Sequence, residues 1–168
     1  MIVSTAARRL VSMKIIKPPS FFEDADFSMF SVFLAGSIEM GTAVNWQSLV
    51  EQSLTDYTGI IYNPRRDDWD SSWEQTKDNP QFREQVEWEL SAMERSRIIA
   101  MYFDPSTKSP ISLLELGLFG RTGKILVCCP AGFWRKGNVD IVCERYGIKQ
   151  FEFLDDMKNQ IISEVEGA

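Results

Sequence analysis

The chain contains no histidine in 168 residues. That removes the commonest general base near neutral pH, the Ser-His-Asp route to an activated nucleophile, and the commonest metal ligand. Acid–base work would fall first to carboxyls whose pKa values are shifted by their surroundings, and the sequence suggests neither a metal nor an organic cofactor. Cysteine is scarce. Cys128, Cys129 and Cys143 are odd in number and crowded late in the chain, which argues against a disulfide framework and fits a reducing, cytoplasmic compartment. Cys128 and Cys129 end an apolar run and read as packing rather than as nucleophiles. No apolar stretch approaches the roughly 20 residues that cross a bilayer. Met1 to Leu10 carries positive charge without the apolar stretch of a signal peptide. Basic residues are outnumbered, 18 Lys and Arg against 24 Asp and Glu, so the net charge is −6 and the footprint of a nucleic-acid binder is missing.

What is present is an ordinary globular composition, 44% apolar and 25% charged, on a length that suits one core. Residues 1–30 show no periodicity, and Pro18-Pro19 and the acidic Glu23, Asp24 and Asp26 interrupt them. They read as an irregular N-terminal extension to a domain over 31–168. From Ser31 the pattern sharpens. Ser31 to Ala35, Thr58 to Tyr62, Ile98 to Phe103, Lys124 to Cys129 and Gln150 to Leu154 are short apolar runs of the kind that form buried strands. Between them lie helical stretches. Val44 to Leu54, after a break at Gly41, carries Val44, Leu49, Val50 and Leu54, and Phe82 to Arg95, opened by Pro80, carries Phe82, Val86, Leu90 and Met93. Ile111 to Phe119, Val139 to Tyr146 closed by Gly147, and Asp155 to Val165 with Asp155 as N-cap complete the set. Alternating strands and helices predict an α/β fold, a five-stranded parallel sheet with helices on both faces.

In such sheets ligands bind beyond the carboxyl ends of the strands. Gly36-Ser37 follows the first strand and suits either a tight turn or a cradle for a phosphate or sugar. Asn63-Pro64-Arg65-Arg66 follows the second, with Asp67, Asp68, Trp69 and Trp73 close behind. The arginines suit either a solvated charge cluster or a fork onto an anionic ligand, and Trp69 either packing or stacking on a base. Asp104 follows the third strand. Glu115 stands alone among the apolar residues of Ile111 to Gly117, either on an exposed stripe or held in a pocket that raises its pKa. Glu89 lies on the preceding helix. The two are either surface glutamates or a converging pair of the kind that retaining glycosyl transfer uses.

Taken in order, Phe33-Leu34-Ala35-Gly36-Ser37-Ile38, Trp46, Asn63-Pro64-Arg65-Arg66, Trp88-Glu89 and Leu114-Glu115-Leu116-Gly117 resemble the nucleoside 2-deoxyribosyltransferase-like family over roughly Ser31 to Phe153. The resemblance implies a flavodoxin-like sheet and transfer or hydrolysis at the N-glycosidic bond of nucleosides or nucleotides. It also implies a homodimer or higher homo-oligomer in which a neighbouring subunit helps to close each site. Glu115 matches the family's nucleophile, which attacks C1′ and holds the sugar as an ester. Glu89 stands where the family has an Asp that handles the base or its proton. Asp104 roughly matches a second acidic position, and Asn138 or Asp140, Asn138 by preference, matches the residue lent to the neighbour's site. Gly36, Ser37, Asn63, Arg65, Arg66, Trp69 and Trp88 complete the expected substrate contacts.

One departure stands out. The family's better-known transferases carry a Tyr near the first strand that positions the nucleophile, and here that stretch reads Val32-Phe33, leaving Tyr62 or Tyr102 as substitutes. Together with the arginine pair, this leans the reading toward nucleoside 5′-monophosphates. The expected function is N-glycosidic cleavage or transfer through a glycosyl-Glu115 intermediate on a small-molecule nucleoside or nucleotide, with neither membrane nor nucleic acid as partner. The competing expectation is a nucleotide-binding or sensing module that kept the fold without the chemistry.

Overall fold

A computed structural model of the chain describes residues 12–20, 22, 28–38, 43–66, 68–70 and 72–168. Met1 to Leu10, Phe21, the acidic cluster at 23–26, the break at Gly41, and Asp67 lie outside the described residues. Among those described are six strands and five helices, which alternate from the second strand onward. They run β1 (Met13–Ile16), β2 (Ser31–Gly36), α1 (Trp46–Ser53), β3 (Gly59–Tyr62), α2 (Pro80–Arg95), β4 (Ile98–Tyr102), α3 (Pro110–Phe119), β5 (Ile125–Cys128), α4 (Lys136–Tyr146), β6 (Lys149–Phe151) and α5 (Leu154–Glu166).

All strand pairs are parallel, in the order β1-β3-β2-β4-β5-β6. From β3 onward this is the flavodoxin-like order, with β2 at the point where successive connections reverse direction. The count of six corrects the expected five. The extra strand comes from the N-terminal stretch read as irregular: Met13 to Ile16 pairs with Gly59 to Tyr62 at the sheet edge. Four residues, of which only Ile16 is buried, leave too little alternation to register as a strand, and Lys14 is an ordinary guard for an exposed edge.

Two apolar layers sandwich the sheet. Trp88, Ala92 and Met93 of α2, Leu116 and Phe119 of α3, and Val139 and Cys143 of α4 cover one face. Trp46 and Val50 of α1 with Met157 and Ile161 of α5 cover the other. The helix faces differ from those expected. On α2 the buried stripe is Gln85, Trp88, Ala92 and Met93 rather than one through Phe82, Val86 and Leu90. On α1 Val44 and Leu49 face outward while Trp46, Gln47 and Val50 go in. Asn45 and Asn79 cap α1 and α2, and Pro80 occupies the first turn of α2, as its fixed φ favours. α5 begins at Leu154, so Asp155 sits in its first turn, where the helix dipole favours it, rather than at the cap. The C-terminus of α2 is closed from outside, because Lys124 Nζ donates to the carbonyls of Met93, Glu94 and Ser96 at 2.9, 2.8 and 3.1 Å.

Gly36 ends β2 at φ +123°, and a Cβ there would lie 2.2 Å from the Tyr102 carbonyl oxygen. Only glycine lets β2 and β4 run this close while the chain turns. Gly36→Ala is therefore expected to destabilise the fold by about 3 kcal/mol or more. The mid-helix Gly117→Ala, where an added Cβ meets nothing within 4 Å, should leave monomer stability level or raised by about 0.5–1 kcal/mol. Urea unfolding of both variants checks the contrast.

Candidate active site

Glu115 lies on the inward face of α3 with Ser112, Leu116 and Phe119, and only 8% of it is exposed. Burial pushes its carboxyl up to about 8, and the charge of Glu89 adds to the rise. Glu89, on the facing side of α2, is pushed up to about 7 by burial, with a hydrogen bond from Gln85 acting in the opposite direction. Two carboxyls that feel each other in a dry space titrate as a unit, so the pair carries a proton through neutrality. Of the two readings open in the sequence, a neighbouring pair is supported by the charge of Glu89 acting on Glu115. No hydrogen bond reaches the Glu115 carboxyl among the described residues.

The helix that carries Glu115 is set by the loop before it. Ser109, the residue before Pro110, adopts φ +46° and ψ +53°, a left-handed conformation uncommon for serine. Hydroxyl contacts hold it there: Ser37 Oγ lies 2.6 Å from Ser109 Oγ and 2.9 Å from Thr107 Oγ1, which is 2.8 Å from Ser109. The Asp104 N–H donates to Ser37 Oγ at 2.8 Å, and Ser37 N–H to the Tyr102 carbonyl at 2.9 Å. Gly36 and Ser37 thus form the tight turn of the two readings, with the Ser37 hydroxyl committed to the loop that starts α3.

The Asp104 carboxylate is engaged by its own surroundings. Its Oδ2 accepts from Val44 N–H at 3.0 Å, and Oδ1 accepts from the Ser106 N–H and hydroxyl at 2.8 and 2.7 Å. Burial alone would raise its pKa, but these bonds outweigh it and hold the carboxyl below its ordinary value. Asp104 therefore shapes the loop as a carboxylate. Asn63 does the same after β3: its side chain donates to Glu51 at 2.7 Å and accepts from Arg65 N–H at 2.9 Å. Trp88 is 6% exposed, stacks on Phe22 with ring centres 5.5 Å apart, and donates its indole N–H to the Ser20 carbonyl. It anchors the N-terminal segment over α2 instead of facing a ligand.

The two arginines part company. Arg66 makes a two-pronged contact with Asp68 at 2.8 and 2.9 Å, approaches Glu84 at 3.6 Å and lies over the Trp73 ring, while Trp69 packs edge-on against Trp73. This knot ties the loop between β3 and α2 to the start of α2. Arg65 instead reaches the amide oxygens of Asn45 and Gln47 at 3.3 and 3.5 Å, and among the described residues no carboxylate answers its charge. Tyr62 lies in the same apolar layer as Trp88, whereas Tyr102 packs against Trp46 in the opposite one. Neither bonds to Glu115.

Asn138 is on α4, across α3 from the carboxyl pair, in a groove of about 330 Å³ lined also by Leu113, Leu116, Gly117, Arg135 and Val142. Asp140 is engaged by Lys136 and Gln150, which leaves Asn138 and Arg135 as the polar residues lining that groove. The three cysteines are buried, with thiols pushed up by burial to about 12 for Cys128 and Cys129 and about 11 for Cys143, as expected of inert packing. The residue missed in the sequence is Gln85, one turn before Glu89 and 5% exposed. A polar side chain i, i+3 and i+7 from Trp88 and Ala92 was the available signal.

The sheet order and the parallel strands with helices on both faces define the class: a flavodoxin-like α/β protein, here with two carboxyls of raised pKa on α2 and α3. The family follows from comparison. A model described as nucleoside 2-deoxyribosyltransferase like matches residues 29–133, more than half of the chain, and the chain belongs to that family. A search of curated proteins returns no match. Among the described residues, no helix is long and apolar enough to cross a membrane.

The pair has a stability consequence. Glu115 titrates near 4.5 when unfolded and about 8 when folded, so between those values the folded chain holds a proton that the unfolded chain releases. Stability from this group is present below about 4.5 and is lost as pH rises toward 8. Glu115→Gln should melt above wild type at pH 8.5, by roughly 3 °C or more, with the gap closing toward pH 4.5. Thermal unfolding across that range decides it; a variant no more stable than wild type at pH 8.5 would mean that the carboxyl is not desolvated.

Proposed function

We propose that the protein cleaves or transfers at the N-glycosidic bond of nucleosides or their 5′-monophosphates, with Glu115 as nucleophile and Glu89 as proton carrier. The observation that carries this reading is the pair of carboxyls with raised pKa, Glu115 buried and Glu89 half-buried. Cleavage with a covalent intermediate needs Glu115 ionised and Glu89 protonated at the same moment. Burial pushes Glu115 higher than Glu89 in the free protein, so the proton must pass from Glu115 to Glu89 as substrate binds, a transfer that the positive charge developing at C1′ favours. In the first step a Glu115 oxygen bonds to C1′, the C1′–N bond breaks, and the proton of Glu89 goes to the departing base. In the second, water or another base attacks C1′ and gives its proton to Glu89, and the ester bond breaks to restore the Glu115 carboxylate. Arg65, with no carboxylate partner among the described residues, supports a phosphate-bearing substrate. A second reading, a nucleotide-binding module, draws support from Val32 and Phe33, which are buried apolar residues in the stretch where the family's transferases place a Tyr.

The test is incubation with deoxynucleosides, ribonucleosides and their 5′-monophosphates, each with and without a second free base, followed by chromatography of the released base and any new nucleoside. Turnover is expected for wild type and lost by at least about 10³-fold in Glu115→Ala. Intact-mass measurement of wild type quenched during turnover should show the added sugar. Silence across the panel with a ligand-induced rise in Tm supports the binding module instead.

A homo-oligomer is the companion proposal. α3 is apolar nearly all round, yet Ile111, Leu114 and Leu118 are 59, 59 and 57% exposed on its outer face. Gly117 interrupts that helix where nothing in the same chain requires a glycine, and a helix of this kind is normally covered. A second copy packed there would also bring its own Asn138 groove to the site region. Leu114→Glu should convert the assembly to monomer in light scattering coupled to size exclusion, and turnover should fall with it.

A further inference from the structure

We propose that Gln85 is a positioning residue that decides which oxygen of Glu89 carries the transferable proton, an inference that rests on Glu89 being the proton carrier. The Gln85 amide nitrogen makes two contacts, to the Pro64 carbonyl at 3.0 Å and to Glu89 Oε1 at 2.7 Å. The Pro64 carbonyl can only accept, so the opposite orientation of the amide would set oxygen against oxygen. The nitrogen therefore faces Glu89, and both of its N–H bonds are committed. Glu89 Oε1 must accept, and when Glu89 is neutral its proton sits on Oε2. The geometry carries a visible cost. Gln85 Oε1 is buried and has no hydrogen-bond partner, an arrangement folded proteins rarely keep without a reason. Here the reason is the pair of donors on the other side of the amide.

The same contact sets the acid strength of Glu89. Burial drives that carboxyl up, and the Gln85 N–H, which binds the ionised form better than the neutral one, brings it back to about 7. A proton donor works best with a pKa near the working pH, since a higher value holds the proton too firmly. Glu115, on α3, is the titratable group coupled to Glu89 from a neighbouring element. The amide thus acts on one member of the pair only.

Two substitutions in the full chain push in opposite directions. Gln85→Met keeps the volume and removes both donors, whereas Gln85→Lys keeps a donor within reach of the same oxygens. Carbon-13 NMR of glutamate-labelled protein, with the Glu89 signal assigned by its loss in Glu89→Gln, reads the carboxyl directly. The Glu89 midpoint should rise in Gln85→Met and fall in Gln85→Lys. With a turned-over substrate, Gln85→Met should lower kcat about tenfold, the scale of one hydrogen bond to an ionisable group, with KM within about twofold. The alkaline limb of its pH profile should move up with the NMR midpoint. An unmoved midpoint, or a shift of the same sign in both variants, overturns the proposal, as does loss of activity only in proportion to the folded fraction. If wild type turns over nothing, the glycosyl reading fails, while the NMR midpoints still report whether Gln85 governs the Glu89 carboxyl.

Discussion

Desolvation raises the pKa of two neighbouring carboxyls, Glu115 and Glu89, and much of the molecule can be understood from that constraint. Glu115 and Glu89 reach each other because α2 and α3 lie on the same face of the sheet, a placement dictated by the strand order. The chain crosses from β3 over β2 to β4 through α2, then continues outward from β4 to β5 through α3. Right-handed crossovers in one direction put consecutive helices on one side. The two carboxyls therefore lie on helices rather than on one loop. Desolvating two carboxyls opposes folding, and the two apolar layers, with Trp46, Tyr62 and Phe33 wholly buried among them, offset it.

The loops at the carboxyl edge of the sheet form a frame for the pair. Ser37, Thr107, Ser109, Asp104 and Asn63 direct their polar atoms largely at one another or at neighbouring backbone. Such groups add little direct ligand contact in this arrangement, but they fix where α3 begins. A turn of helix set wrongly at Ser109 would rotate Glu115 off the inward face, since each residue advances the helix by about 100°. Reactive groups are placed best when their supports have little freedom of their own.

The strands and their order of appearance were legible because buried parallel strands are nearly continuous apolar runs. β1 was not, because an edge strand buries little. Glu115 announced itself as a carboxyl inside an apolar helix, where the surrounding residues leave it few other roles. Glu89 did not, because α2 is rich in charge, and its inward face is recognisable only once Trp88 and Gln85 are known to point in. Asp104 and Asn63 could be read either way from the sequence for a shared reason. Strand ends collect polar and aromatic residues both for turning the chain and for binding, and spacing along the sequence does not distinguish the two. The separation of Arg65 from Arg66 was likewise beyond sequence, since adjacent side chains after a strand point in different directions.

The two sides of α3 bear on one another. Its inner face presents Glu115 to Glu89, and its outer face presents Ile111, Leu114 and Leu118 to whatever covers them. A helix of 10 residues is marginal by itself, and its position is owed to packing. If a second copy covers the outer stripe, the same contact that assembles the protein also holds the nucleophile in register with its proton partner. Solvent excluded on one side of so short a helix is excluded close to the other, so assembly would deepen the desolvation that raises Glu115. On that argument, subunit association and the acidity of the site are a single property of one short helix.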